Sequence, residues 1–244
     1  MQAPASPGTA GTRAGGTRAV GPALALLVLA LVFTALGVWQ LHRLGWKTRL
    51  IADTQAAVHA APIDPAALPT GDLTPLTYHR LAMTGHFLSA GTTLVTGTST
   101  IGTGYWELVP LAGDDGRTIM INRGFLPEGS RIEAARRDVP AGPVRIEGLL
   151  RPTEPKGALL RANRPAQDRW YSRDIAAIAA RRGVAVDPRL FIDSWAEASA
   201  PGADAPVPGL TVIAFPNNHL GYALTWFTMG IMAIGGAFVL VRRR

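Results

Sequence analysis

The 244-residue chain contains no cysteine. That absence excludes disulfides, zinc–thiolate sites, iron–sulfur clusters and thiol-based copper transfer. It does not argue against an extracytoplasmic location, where domains also fold without cross-links. Charge is scarce as well: 17% of the residues are Asp, Glu, Lys or Arg, against 48% hydrophobic. Such a balance fits apolar residues gathered into membrane spans. Lysine is nearly missing, because 22 of the 24 basic residues are arginine, which reads as GC-rich coding bias. Acidic residues are missing from both ends. All 17 lie between positions 42 and 218 with 19 of the basic ones, so that segment holds only +2 of the net +7. A basic stripe for tracking phosphates is therefore absent from the pattern, and nucleic acid is not an expected partner. The chain also has no P-loop, no G-x-S-x-G and no Ser/His/Asp grouping. His59, His79 and His86 lack metal-ligand spacing, and nothing recommends a hydrolase or transferase.

Two long apolar runs are present instead. Val20–Leu41 and Leu220–Val241 are each 22 residues without a charge. At about 1.5 Å rise per residue, either helix covers a hydrocarbon core roughly 30 Å thick. Trp39 and Trp46 flank one end of the first run, and Tyr222 and Trp226 lie at one end of the second, as aromatic belts do. Arg242, Arg243 and Arg244 follow the second run directly, whereas no Lys or Arg occurs between Arg189 and its start. The positive-inside rule then puts the C-terminus in the cytoplasm. The first run has basic residues on both sides, so the second settles the orientation of a two-span chain. A cleaved signal peptide is the alternative for the first run, but the run exceeds the usual h-region and no small-x-small site follows it. The expected organisation is a disordered cytoplasmic tail (1–19), transmembrane helix 1 (20–41), an extracytoplasmic domain (42–218), transmembrane helix 2 (219–241) and a short cytoplasmic tail (242–244). The expected location is a bacterial plasma membrane.

After the first span, Leu44–Ala60 keeps an i, i+3, i+4, i+7 spacing and predicts a helix that continues from that span and is stopped by Pro62. A proline-rich linker, Ala61–Pro75, follows. The pattern then changes to short strands at Tyr78–Thr84, Thr92–Thr96, Tyr105–Leu111, Thr118–Asn122 and Val144–Leu150, with Asp115-Gly116 as a hairpin turn. Ser172–Arg182 reads as a helix with Asp174 near its start and Gly183 at its end. Val184–Ser194 and Gly209–Ile213 read as further strands, and Ala196–Pro208 as a small-residue linker. The fold class predicted is two transmembrane α-helices flanking an α+β extracytoplasmic domain with a mostly antiparallel sheet. Asn122-Arg123-Gly124-Phe125 is expected to end a strand, with Gly124 serving a turn and Arg123 paired to a carboxylate. Trp170 and Tyr171 are expected in the core.

The polar residues at the membrane boundary carry the sharpest chemical signal. His219, Tyr222 and Trp226 follow one another at i, i+3 and i+7. Trp39, Gln40, His42, Arg43, Trp46 and Lys47 mark the matching end of the first span. The topology puts both clusters on one membrane face. An imidazole beside aromatic walls with cations nearby suits a haem: nitrogen ligates iron, aromatics flank the macrocycle, and guanidinium pairs with propionates. Interfacial anchoring explains the same residues, and residue chemistry alone favours it.

Several segments together resemble the Surfeit locus protein 1 family of cytochrome c oxidase assembly factors. They are GVWQLHRLGWK (Gly37–Lys47), LAMTGHF (Leu81–Phe87), GYWELVPL (Gly104–Leu111), INRGFLP (Ile121–Pro127), GLLRP (Gly148–Pro152), WYSRD (Trp170–Asp174) and PNNHLGYALTWF (Pro216–Phe227). They follow the family's order and span the chain from the first helix onward. The resemblance implies a non-enzymatic assembly factor for haem–copper oxidases that assists haem a delivery to, or its stabilisation in, cytochrome c oxidase subunit I. It implies haem a as a transient cofactor, His219 as the haem-iron ligand, and Tyr222, Trp226, Trp39, Gln40 and Arg43 as its neighbours. The implied partners are subunit I, haem a synthase and membrane lipid. It also implies that Gly124 tolerates no Cβ if its φ is positive. His42 lies outside the family pattern, Phe125 stands where tryptophan is commoner, and Gly221 stands where a longer polar residue is frequent. A scaffold for oxidase subunits that never holds haem is the alternative reading. A haem-modifying enzyme and a generic envelope domain are more distant ones.

Overall fold

The computed structural model describes residues 20–158, 161–197 and 205–243. The expected tail over 1–19 and most of the linker Ala196–Pro208 lie outside them. The chain divides into two compact units, one comprising residues up to Ile51 and from Ala214 onward, the other Ala52–Ile213.

The first unit is a helix pair. Helix α1 runs from Val20 to His59 without a break, so the first apolar run and the predicted helix Leu44–Ala60 are one element, ending three residues before Pro62. Helix α4 spans His219–Arg242. Both are long and apolar enough to cross a membrane. They pack along a seam of small residues that recur every seven positions: Ala23, Ala30 and Gly37 on α1, Ala223, Gly230 and Ala237 on α4, all buried. That spacing keeps one face of each helix turned to its neighbour. Small residues let backbones approach closely where lipid supplies no hydrophobic drive to association. A Cβ at Gly37 would lie 2.6 Å from the Phe227 ring, and one at Gly230 would lie 3.6 Å from the Ala30 carbonyl oxygen. Phe33 stacks on Trp226 with centroids 5.7 Å apart. The hydroxyls of Thr34, Thr225 and Thr228 bond to carbonyls one turn back at 2.8–3.0 Å. These donors therefore need no water.

The second unit is built on six strands: β1 (Arg80–Phe87), β2 (Thr93–Ser99), β3 (Gly102–Gly113), β4 (Thr118–Pro127), β5 (Pro143–Pro152) and β6 (Leu190–Glu197). Their order is β1-β5-β6-β4-β3-β2, and a further β1–β3 pairing closes five of them into a ring. The long β3 makes this closure by pairing with β2 through its first half and with β1 through its last residues on the same edge. Every pairing is antiparallel except β4–β6. Two short helices complete the unit, α2 (Ile132–Asp138) and α3 (Ile175–Arg182).

Strand β4 is buried on both faces from Ile119 to Leu126, which explains the consecutive apolar residues Ile119, Met120 and Ile121. Ile119 and Ile121 join the cluster of Leu81, Leu111, Ile146 and Ile192, while Met120 joins Trp106, Trp170, Ile178 and Phe191 on the other face. Helix α3 starts where Asp174 accepts from the Ala177 N–H and ends at Gly183, whose left-handed conformation (φ +66°) frees its N–H for the last carbonyls. Both signals were in the sequence. The Asp115-Gly116 turn joins β3 to β4 as expected, with Gly116 at φ +82°.

Four expectations need correction. Asn122–Phe125 does not end a strand, because β4 continues to Pro127. Gly124 serves a bulge rather than a turn: the β3–β4 register shifts beside it, and its φ is +146°. The strand expected over Val184–Ser194 begins only at Leu190, because the turn at Pro188-Arg189 intervenes and proline cannot donate to a ladder. Gly209–Ile213 forms no strand. The sheet contact on that approach is instead a bridge one turn earlier, where Phe125 and Val207 exchange both backbone bonds at 2.9 Å.

Candidate functional site

Helix pairing brings two of the predicted residues into direct contact. Gln40, buried on α1, places Oε1 2.7 Å from His219 Nδ1, the first residue of α4 and 179 positions away. An amide oxygen can only accept, so in this orientation Nδ1 carries the proton. The lone pair of the neutral ring then sits on Nε2. This is how a second group fixes the tautomer and direction of a metal-ligating histidine.

Other contacts tie the same helix ends together. Asn217 Nδ2 donates to Thr48 Oγ1 at 3.4 Å, and Lys47 Nζ lies 5.1 Å from the Phe215 ring centroid. Arg43 lies over the Trp46 ring at 4.1 Å. Trp226 is half-buried against Phe33. By contrast, Trp39 and Tyr222 are both 57% exposed. On α4 the residue that turns inward with His219 is Ala223 at i+4, so Tyr222 at i+3 does not share the seam. The structure therefore gathers His219, Gln40 and Trp226 at the helix interface and leaves Trp39, Tyr222 and Arg43 on its periphery. His42 is exposed. A Cβ at Gly221 would meet nothing within 4 Å, so space is open there. The sequence reading missed Thr48, Phe215 and Phe33. The small residues recurring at sevens would have supplied the register that finds them.

The buried charges of the sheet domain serve a different purpose. Asp193 accepts from Asn122 Nδ2 and Arg151 Nη1, each at 2.7 Å. Arg151 reaches Glu154 at 3.6 Å, and Arg173 grips Glu154 through two bonds of 3.0 and 2.7 Å. Burial opposes ionisation of Glu154, yet the Arg173 bonds and the charges of Arg173 and Arg151 outweigh it and hold the carboxyl below its ordinary range. Arg123, as expected, pairs with a carboxylate: Glu107 at 3.0 Å, with Asp138 at 3.7 Å. Each carboxylate here is committed to a guanidinium, which fastens β4, β5, β6 and the approach to α3. None is poised as a general acid or base. Among the described residues no group of three His, Asp or Glu side chains could hold a metal ion.

Comparison with known proteins resolves the family. The model of the SURF1 family matches residues 27–231, a range that includes both Gln40 and His219. The chain belongs to the SURF1 family. Among its relatives, the SURF1-like protein of Monosiga brevicollis is 35% identical over 236 residues, covering 90% of this chain and 87% of that protein. Surfeit locus protein 1 of Mus musculus is 32% identical over 219 residues, covering 83% of this chain and 69% of its own length. The Homo sapiens protein of the same name is 30% identical over 220 residues, covering 83% and 71%. In this family member the shared region thus takes in the apolar helix pair as well as the sheet domain.

Proposed function

We propose that this SURF1 family member is a membrane-bound assembly factor for haem–copper cytochrome c oxidase. In this reading it is not an enzyme, and it assists haem a on its way to subunit I. The observation that carries the reading is the Gln40–His219 pair between two apolar helices. An imidazole held by a buried amide, with its second nitrogen left for a ligand, fits a single-histidine haem site. His219 would hold the group through Nε2, and Gln40 would keep that nitrogen aimed. Trp226, Trp39 and Tyr222 offer aromatic surface beside it, and Arg43 offers a cation for the propionates. Haem a, when bound, supplies the iron centre and a lipid-soluble tail suited to a site between membrane helices. A lone axial histidine also lets the protein release what it holds. The partners in this reading are oxidase subunit I, haem a synthase and lipid.

The topology proposed with it sets both termini in the cytoplasm of a bacterial plasma membrane and the sheet domain outside. The triplet Arg242–Arg244 supports that orientation. A second reading, a scaffold for oxidase subunits that holds no haem, is favoured by the exposure of Trp39 and Tyr222. Complementation tests the assembly role. A deletion strain expressing the wild-type chain should regain oxidase activity and haem a in subunit I, and His219→Ala should not. Full oxidase activity in the deletion strain itself would refute an assembly role of either kind.

A further inference from the structure

A groove of about 450 Å³ opens on the sheet domain, away from the helix pair's polar cluster in sequence and in composition. Leu94 and Thr96 of β2 and Tyr105 of β3 form one side; Arg161, Arg169 and Tyr171 form the other. Its exposed charges are of one sign. Arg164 and Arg169 oppose each other across an isolated antiparallel bridge, closed by backbone bonds of 2.8 and 3.2 Å. Directly opposed residues put their side chains on the same face roughly 5 Å apart at Cβ, where like charges repel. Both arginines are exposed, and among the described residues neither has a carboxylate partner. Arg161 is exposed too and lies over the Tyr171 ring at 5.5 Å, with its edge free for other contacts. Asp168 is the acid in the lining, but it is spent. Both its oxygens accept from Arg182 at 2.8 Å, and Oδ1 also accepts from the Trp170 indole at 2.8 Å. Arg161 and Arg169 therefore line the groove, and Arg164 stands beside Arg169 at its rim, three guanidiniums without a carboxylate partner among the described residues.

We propose that this groove docks an extended acidic segment of a partner protein. Two features select that occupant. The opposed pair Arg164–Arg169 destabilises the free protein and is relieved by a carboxylate set between the two, in the bidentate manner guanidinium favours. The neighbouring edge of β2 is already bridged by Trp170, whose carbonyl accepts from the Thr96 N–H at 2.9 Å, so side chains and not an added strand hold the occupant. Leu94 and Tyr105 give the alternate side chains an apolar seat. A flat anionic bilayer would meet the arginine tips but not the groove between them.

Fluorescence anisotropy of the detergent-solubilised full chain with a fluorescein-labelled peptide of ten alternating glutamates and valines tests the proposal. Saturable binding is expected, lost when glutamine replaces glutamate. The triple variant R161Q/R164Q/R169Q should weaken it at least tenfold, since three charge contacts disappear. A charge-matched control, R49Q/R137Q/R145Q, should bind as the wild type does. Far-UV circular dichroism and a melting curve confirm that both variants are folded. Equal weakening by the two variants, or equal binding of the glutamine peptide, would overturn the assignment. So would binding to phosphatidylglycerol bicelles with none to the peptide, which would make the patch a membrane surface.

Discussion

Replacing Gly124 with alanine adds one methyl group in the middle of β4, where the backbone holds φ at +146°. L-residues rarely adopt that conformation, and forcing one to do so costs roughly 1–3 kcal/mol. The added carbon would also lie 2.5 Å from the Val207 carbonyl oxygen, 2.6 Å from its carbon and 2.9 Å from the Pro208 nitrogen. All three are backbone atoms, so no side chain can swing aside. The Phe125–Val207 bridge must open, and its two hydrogen bonds are worth about 1 kcal/mol each. The sum is about 3–5 kcal/mol, a large share of the 5–15 kcal/mol typical of a whole domain. For a domain of this size each kcal/mol moves Tm by about 2–4 °C, so a drop of roughly 6–20 °C is expected. Tryptophan fluorescence during heating of the detergent-solubilised protein reads it. Hydrogen exchange at the Phe125 and Val207 amides should speed up in the variant. Gly142→Ala, at a site where a Cβ meets nothing within 4 Å, is the control and should shift stability by less than about 0.5 kcal/mol. A Tm within about 2 °C of wild type, with the two amides still protected, would refute the reasoning.

Two further predictions concern the charged and polar clusters. Glu154, Asp168 and Asp187 are all held below the ordinary carboxylate range, Glu154 and Asp168 against the cost of burial and Asp187 chiefly by its Arg189 hydrogen bond. A carboxyl whose folded pKa is depressed stabilises above its unfolded value of about 4 and loses that contribution as pH falls through the folded pKa. Urea midpoints should therefore fall between pH 5 and pH 2, and Glu154→Gln should flatten part of that acid limb. A midpoint independent of pH over this range would contradict the pairing. At the helix ends, Gln40→Leu should loosen retained haem by roughly 10–100-fold, the usual effect of losing a group that orients a ligand. Gln40→Glu should keep the haem but lower its midpoint potential, because a carboxylate makes the imidazole a stronger donor. Identical spectra and potentials in both variants would show that Gln40 does not position His219.

Local signals carried much of the fold. Alternation located β1 to β5 within a few residues, and Asp174 and Gly183 marked the ends of α3. What failed was non-local or disguised. Asn122-Arg123-Gly124 looks like a turn because polar residues and glycine cluster there, yet the Arg123–Glu107 pair buries the charge and the bulge consumes the glycine. Helix α2 is seven residues long and mostly charged, too short to show a period. Ring closure through β1 and β3 has no local signature at all. The site followed the same division. His219 and Gln40 were each visible by residue type, but their pairing depends on helix register, which resides in the small residues spaced by seven. Tyr222 lies off the seam because i+3 and i+4 neighbours diverge on the helix surface, and the seam takes the latter, Ala223.

The central claim is that His219 offers Nε2 to a haem. The most direct measurement is the visible absorption spectrum of the chain purified from cells that make haem a, beside His219→Ala purified in the same way. The wild type should carry a Soret band and extractable haem a, and the variant should lose both while its far-UV circular dichroism stays unchanged. A wild-type protein without a Soret band, or a variant that keeps the same haem content, would contradict the account.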